Sequence, residues 1–240
     1  MSGKLIGVGT GPGDPELLTL KAVRAIEAAD VVAYFAKQGN PSNARKIVAD
    51  LITSQHEEEL GYPVTTEIHR HDERYKSATA DFYAQAAERV ALHLDQGRTV
   101  AVLSEGDPLF YGSYMHLHVR LAHHYPTEVI PGITAMSGCW SQAGLPLVQG
   151  DDVLSVLPGT LEEEDLAARL GNQGGAVIMK VGRNLGKIRR AVAAAGRLDS
   201  AVYVERGTMA NGHSIPLADK TDDIAPYFAL VLVPGWSTRP

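Results

Sequence analysis

Residues 4–34, KLIGVGTGPGDPELLTLKAVRAIEAADVVAY, set out the architecture of the chain. Lys4 to Gly9 is apolar and rich in β-branched residues, then breaks at glycine, which reads as a buried strand ending in a tight turn. The turn is Gly9-Thr10-Gly11-Pro12-Gly13-Asp14-Pro15, with Asp14 as N-cap and Pro15 at the first helical position. From Glu16 to Ala29 the apolar residues Leu17, Leu20, Val23, Ala25 and Ile26 recur at helical spacing. Asp30-Val31-Val32-Ala33-Tyr34 follows as a second strand. Strand, turn, helix and strand make a βαβ unit, which implies a parallel pair joined by a right-handed crossover.

Asn40–Ile52 reads as a short helix and Tyr62–Ile68 as a strand. Asp72–Gln96 is a long amphipathic helix ended by Gly97. Thr99–Leu103 is a buried strand that runs into a loop at Ser104, with helical sequence to about His124. Glu128–Ile130 is a short strand. Beyond residue 150, strands are expected at Val153–Leu157, Ala176–Lys180, Ala201–Glu205 and Ala229–Val233, with helices at Glu162–Leu170 and Leu185–Ala195. No helix follows the strand at 201–205, which points to a sheet with an antiparallel part. The expected architecture is therefore two α/β domains, the N-terminal sheet mainly parallel and the C-terminal sheet mixed. Their boundary falls in 121–128, giving domains 1–124 and 125–240.

Bulk properties narrow the function. The 240 residues are 45% hydrophobic and 21% charged, an ordinary globular composition. One cysteine, Cys139, rules out a disulfide within the chain and fits a reducing compartment. It sits among small residues and reads as buried filler rather than as a nucleophile. The first residues enter a strand directly, with no leader-like pattern, and no stretch approaches a membrane span, so a cytoplasmic protein is expected. The net charge of −6 and the lack of a basic run argue against a nucleic-acid partner. Nine histidines are present, but His69/His71 and His116/His118 are two apart and no His-Glu-x-x-His pattern occurs, so no metal is expected.

Three loops carry the chemistry. Gly9 to Asp14 is neither a dinucleotide fingerprint nor a Walker loop, because Asp stands at 14 and no Gly-Lys-Ser/Thr follows. Its glycines let backbone approach a ligand, or simply make a tight turn. The second loop, Glu105-Gly106-Asp107-Pro108-Leu109-Phe110-Tyr111-Gly112-Ser113, lies past a buried strand, where open parallel sheets bind ligands. Asp107 could equally be an N-cap with Pro108 behind it. The third, Pro131-Gly132-Ile133-Thr134-Ala135-Met136-Ser137-Gly138, is built of small residues that admit a flat ligand.

In this order, GVGTGPGDPELLTLKA, EGDPLFYGS and PGITAMSG resemble the tetrapyrrole (corrin/porphyrin) methylase family, over essentially the whole chain. The resemblance implies S-adenosylmethionine as methyl donor, bound in a cleft between two α/β domains, the N-terminal one on the substrate side. It also implies a small-molecule tetrapyrrole substrate and a homodimer. Three groups of segments are similar to the branch that methylates precorrin-2 at carbon 20: Tyr62-Pro63-Val64-Thr65-Thr66-Glu67; Ala101 to Tyr114; and Ser137 to Ser141 with Gly150 to Leu154. The branch acting on cobalt-factor II is a close relative. Carried over by position, the cofactor contacts are Pro12, Glu105, Gly106, Asp107, Phe110, Thr134, Ala135, Met179 and Gly207. The uroporphyrinogen methylases match at Asp30 to Tyr34 but carry next an Asp proposed as a base; here that position is Phe35, so that assignment does not transfer.

Methyl transfer from a sulfonium is an in-line displacement in which the enzyme mainly orients and excludes water. A proton must then leave the methylated carbon, and Glu67, His69, Glu105 and Asp14 are the candidates to accept it. The substrate's carboxylates call for cations, for which Lys37, Arg45, Arg70, Lys180, Arg183 and Arg206 are candidates. Methylation of a macromolecule, and a cofactor-sensing module without chemistry, are the competing readings.

Overall fold

The computed structural model describes residues 2–37, 39–62, 73–171 and 174–235, with residues 73–76 described by backbone alone. It divides into two compact units, Met1–Thr134 and Ala135–Pro240.

The first unit holds five strands, β1 (Lys4–Gly9), β2 (Val31–Lys37), β3 (His56–Tyr62), β4 (Thr99–Ser104) and β5 (Thr127–Ile130). Its helices are α1 (Leu20–Glu27), α2 (Asn43–Ile47), α3 (Glu73–Asp95) and α4 (Tyr114–Leu121). The strand order is β3-β2-β4-β1-β5, and every pairing is parallel. Both faces are covered. Leu5, Val31, Ala33, Val100 and Val102 face α3 and α4, whereas Ile6, Val8, Val32, Ala101 and Leu103 face α1 and α2. A strand buried on both faces must be apolar at every position, which is why these runs do not alternate. Each such valine, leucine or isoleucine taken out of water contributes about 1.5–3 kcal/mol, and each alanine less. Tyr114, with 0% of its surface exposed, fits only because residue 7 is glycine: a Cβ there would lie within 3.0 Å of its ring.

Four expectations change here. β1 and β2 are parallel but not neighbours, because β4 lies between them. The first helix is interrupted: Asp14 caps only a 3-10 turn over Pro15–Leu17, and α1 starts anew with Thr19 Oγ1 accepting from the Ala22 amide. β3 occupies the acidic run His56–Tyr62, and the expected strand beyond Tyr62 lies outside the described residues. Finally, β5 pairs with β1 along its length, so it belongs to the first sheet. The units accordingly divide after Thr134, later than the expected 124/125 boundary.

The second unit holds α5 (Ala135–Gln142), β6 (Leu154–Pro158), α6 (Glu163–Leu170), β7 (Gly175–Met179), α7 (Leu185–Ala194), β8 (Val202–Glu205), β9 (His213–Pro216) and β10 (Ala229–Val233). Its strand order is β6-β7-β10-β8-β9; β6 and β7 are parallel, and β10 runs antiparallel to both β7 and β8. The mixed sheet is as expected, with β9 an additional edge strand. Leu166, Leu170, Ile188 and Val192 of α6 and α7 pack on one face, while Cys139 of α5 packs on the other with Val177, Val204 and Leu232. Among the described residues no helix is long and apolar enough to cross a membrane.

Candidate functional site

In the first unit β1, β4 and β5 are adjacent and parallel, so their carboxyl ends and the loops that follow lie at one edge. The loops are joined backbone to backbone. The Thr10 amide and hydroxyl both donate to the Ser104 carbonyl, at 2.8 and 3.1 Å. Gly11 and Gly106 exchange amide–carbonyl bonds of 3.4 and 2.8 Å. A Cβ on Gly9 would stand 2.5 Å from the Gly132 nitrogen and 2.6 Å from the Gly106 oxygen, and one on Gly132 would overlap that same oxygen. Only glycine permits this approach, and Gly11 (φ +75°) and Gly106 (φ +64°) also adopt left-handed backbone.

Asp107 is the staple of the group. Its Oδ1 accepts from the Leu109 amide at 2.9 Å and its Oδ2 from the Gly132 amide at 3.2 Å. It is not a helix cap, since α4 begins only at Tyr114. Glu105 accepts from the Asn43 side chain and the Ala44 amide, tying the second loop to α2. Its residue surface is exposed, yet enough protein surrounds the carboxyl that burial raises its pKa against the pull of those two hydrogen bonds. Asp14 accepts from the Glu16 amide at 2.9 Å, which commits one of its oxygens to the turn. Phe110 meets Tyr111 edge to face at 4.9 Å between ring centres, and Tyr111 is held at φ +56°. Thr134 and Ala135 lie at the junction of the two units, Ala135 opening α5.

In the second unit β6, β7 and β8 run in the same direction, so Thr160, Met179-Lys180 and Arg206-Gly207-Thr208 follow their carboxyl ends on a common edge. Three non-glycine residues there have left-handed backbone, Lys180 (φ +57°), Arg206 (φ +47°) and Thr208 (φ +69°). Each such residue costs on the order of 1–3 kcal/mol, and strain of this kind gathers at binding sites. The Oγ1 atoms of Thr160 and Thr208 are buried without a hydrogen-bond partner among the described residues. A buried hydroxyl left unpaired costs about 1–3 kcal/mol, so both atoms fit a polar group supplied from outside the protein. Gly207 is packed against α5: a Cβ on it would lie 2.6 Å from Cys139 Sγ. Burial pushes the Cys139 thiol up to about 11, which leaves it inert, as its small-residue surroundings suggested.

The basic candidates separate. Arg45 is engaged in a bidentate pair with Glu57, at 2.9 and 3.1 Å, and is not available to a ligand without breaking it. Arg206 reaches Glu205 at 3.3 Å. Lys37 ends β2 with an exposed side chain, Lys180 follows β7, and Arg183 lies in the 3-10 turn Gly182–Asn184. Glu67, His69 and Arg70 lie outside the described residues.

One group of possible metal ligands occurs among the described residues, His56, Glu58 and His93, with ligand atoms within 4.8 Å of one another. Arg98 lies 3.0 Å from His93 Nδ1 and can only donate, so Nε2 carries the proton that bonds Glu58 at 3.0 Å. With Arg89 also on Glu58, this is an ion-pair network rather than an open coordination site.

The sequence profile of the tetrapyrrole (corrin/porphyrin) methylases matches residues 4–219. The chain belongs to this family. A tetrapyrrole methylase from Sinorhizobium sp., named precorrin-2 C(20)-methyltransferase, is 70% identical over 239 residues, covering 99% of this chain and 98% of its own. Among solved tetrapyrrole methylases, a cobalt precorrin-4 methyltransferase aligns with a TM-score of 0.72 at 22% identity, covering 96% of this chain and 94% of its own. The uroporphyrin-III C-methyltransferase of Thermus thermophilus, complexed with S-adenosyl homocysteine, aligns at 0.63 and 24%, covering 97% of each chain. At these identities the two structures speak for the fold. As a tetrapyrrole methylase the chain is a methyltransferase, which sets aside the reading of a sensing module without chemistry. Two features escaped the sequence: the Asn43–Glu105 link and the unpaired Thr160 hydroxyl. No local pattern marks a threonine whose hydroxyl will be buried without a partner.

Proposed function

We propose that the chain transfers the methyl group of S-adenosylmethionine to carbon 20 of precorrin-2. The observation that carries this is the 70% identity, across 99% of the chain, to a protein of that name. The S-adenosyl homocysteine complex of a family member supports the choice of donor. Bound S-adenosylmethionine would supply an already activated methyl group, so the protein's task is orientation and the exclusion of water.

The cofactor-binding residues we propose are Pro12, Glu105, Gly106, Asp107, Phe110, Thr134, Ala135, Met179 and Gly207. The interlocked glycines support the first-unit members of this set, because they bring backbone amides and carbonyls close to one edge without intervening side chains. Glu105 and Asp107 add negative charge favourable to a sulfonium. The Thr208 hydroxyl beside Gly207, without a partner among the described residues, fits a polar group of the donor. Asp107 acts chiefly by fixing the loops, while the Glu16 amide engages only one oxygen of Asp14, which stays with Glu105 among the candidate proton acceptors. Lys37, Lys180, Arg183 and Arg206 are the proposed partners of the substrate carboxylates; Arg45 and Arg206 would each exchange a glutamate partner, Glu57 and Glu205, for a substrate carboxylate. We further propose a cytoplasmic location, consistent with the lone buried cysteine and with the absence of a membrane-spanning helix among the described residues, and, on the family resemblance alone, a homodimer.

The test is to mix protein, S-adenosylmethionine and metal-free precorrin-2 anaerobically, follow the visible spectrum, and determine product mass and methyl position. A tetrapyrrole one methyl heavier at carbon 20 is expected. Turnover of the cobalt-loaded ring alone would replace this reading with the cobalt-dependent one.

A further inference from the structure

Beside the cofactor loops the first unit builds a second feature. Phe35 and Tyr62 stand near the carboxyl ends of neighbouring strands, in a register that sets Lys37 opposite Tyr62. Their rings stack at 5.7 Å and 28°, and Phe82 and Tyr83 of α3 close the group, with Phe82 4.8 Å from Tyr62. Tyr83 is 7% exposed, whereas Phe35 and Tyr62 are only half-buried.

The hydroxyls are equally organised. Tyr62 Oη bonds Ser113 Oγ, and Tyr83 Oη donates to the same oxygen at 3.1 Å. Ser113 is the N-cap residue of α4, yet its side chain caps no amide. A serine cap is worth roughly 1 kcal/mol, so the hydroxyl has been diverted from its usual work. Ser113 also closes the loop that begins at Glu105, so its bond to Tyr62 ties that residue to the loop.

We infer that Tyr62 is an acceptor-binding residue, with Ser113 and Tyr83 as positioning residues that hold its ring and hydroxyl at the sheet's carboxyl edge. The chemistry suits a large unsaturated ring bearing carboxylates. Half-buried aromatic faces take the flat ring, a fixed hydroxyl bonds its polar rim, and Lys37 stands next in register for a carboxylate. The inference rests on the proposed acceptor but concerns its binding, which is measurable apart from turnover.

The experiment is anaerobic titration of the full chain with precorrin-2, read by visible absorbance without donor, beside calorimetric titration with S-adenosyl homocysteine. Tyr62→Phe should weaken precorrin-2 binding about three- to tenfold, the worth of one hydrogen bond, with S-adenosyl homocysteine binding changed less than about twofold. Ser113→Ala should act in the same direction, Ser113→Thr should restore affinity, and the double variant should be no weaker than the worse single one, because the two act as a unit. Unchanged precorrin-2 affinity in Tyr62→Phe, or equal losses for both ligands, would overturn the inference while leaving the methyl transfer intact. Tyr62-sensitive binding without turnover would sink the proposed reaction and keep the inference. A wild-type chain that does not bind precorrin-2 removes both.

Discussion

The amide of Gly132 donates to Oδ2 of Asp107 at 3.2 Å, bridging 25 residues of chain. The other oxygen of the same carboxylate holds the Leu109 amide. One side chain therefore sets the spacing of two strand-end loops, and the Gly11–Gly106 backbone bonds fasten the third.

Asp107→Ala removes both bonds and releases the loops. We expect S-adenosyl homocysteine binding to fall at least about tenfold, or 1.4 kcal/mol. Arg45→Ala breaks only a pair with Glu57 and should leave that binding within about twofold. Calorimetric titrations giving the reverse order would overturn the placement of the donor at these loops.

Gly132→Ala puts a methyl group into the Gly106 carbonyl oxygen. Overpacking against backbone costs about 1–3 kcal/mol, and the loops cannot separate without losing the Asp107 staple. Gly61→Ala is the control, since the nearest atom to its added methyl among the described residues is a glutamate oxygen at 4.0 Å. Urea unfolding should show a clear loss for the first and little change for the second; similar midpoints would refute the interlock.

Hydrogen bonds from Lys21, and then from Lys4, hold the Glu128 carboxyl at about 2, below its ordinary 4.5. A depressed folded-state value stabilises the protein above the unfolded-state pKa, and that contribution is lost as the pH falls through the folded one. The window therefore runs from about pH 5 down to about 2. Arg45 lowers Glu57 in the same sense. Melting temperatures should fall across this window less steeply in Glu128→Gln than in wild type, and parallel curves would disprove the contribution.

Cys139 is buried, and its thiol is pushed up to about 11. A thiol-specific chromogenic reagent at neutral pH should leave the folded protein essentially unmodified and label one thiol per chain after urea unfolding. Rapid labelling of the native state would contradict its packing against Gly207.

The parallel strands β1, β2 and β4 were legible because strands buried on both faces are apolar throughout, and Gly97 (φ +79°) marks the end of α3 in the sequence as in the structure. β3 was not. Its His56-Glu57-Glu58-Glu59 run resembles a solvated loop until Arg45 and Arg89, from other elements, pair with its glutamates and His93 donates a hydrogen bond to Glu58. As an edge strand it needs only β2 as a partner, and charge on such an edge opposes pairing with another chain. β9, also at an edge, was missed for want of an apolar run.

By themselves the residues determined that this chain forms two α/β units with glycine-bearing loops after its strands, because periodicity and turn chemistry are local properties. They also determined the family, through three motifs in order. Tertiary structure alone decided that β4 separates β1 from β2, that Asp107 staples rather than caps, that Arg45 is spent on Glu57, and that Ser113 joins two tyrosines. Each of these depends on which distant backbone or charge arrives alongside, and hydrogen bonds between residues far apart in the chain have no local signature.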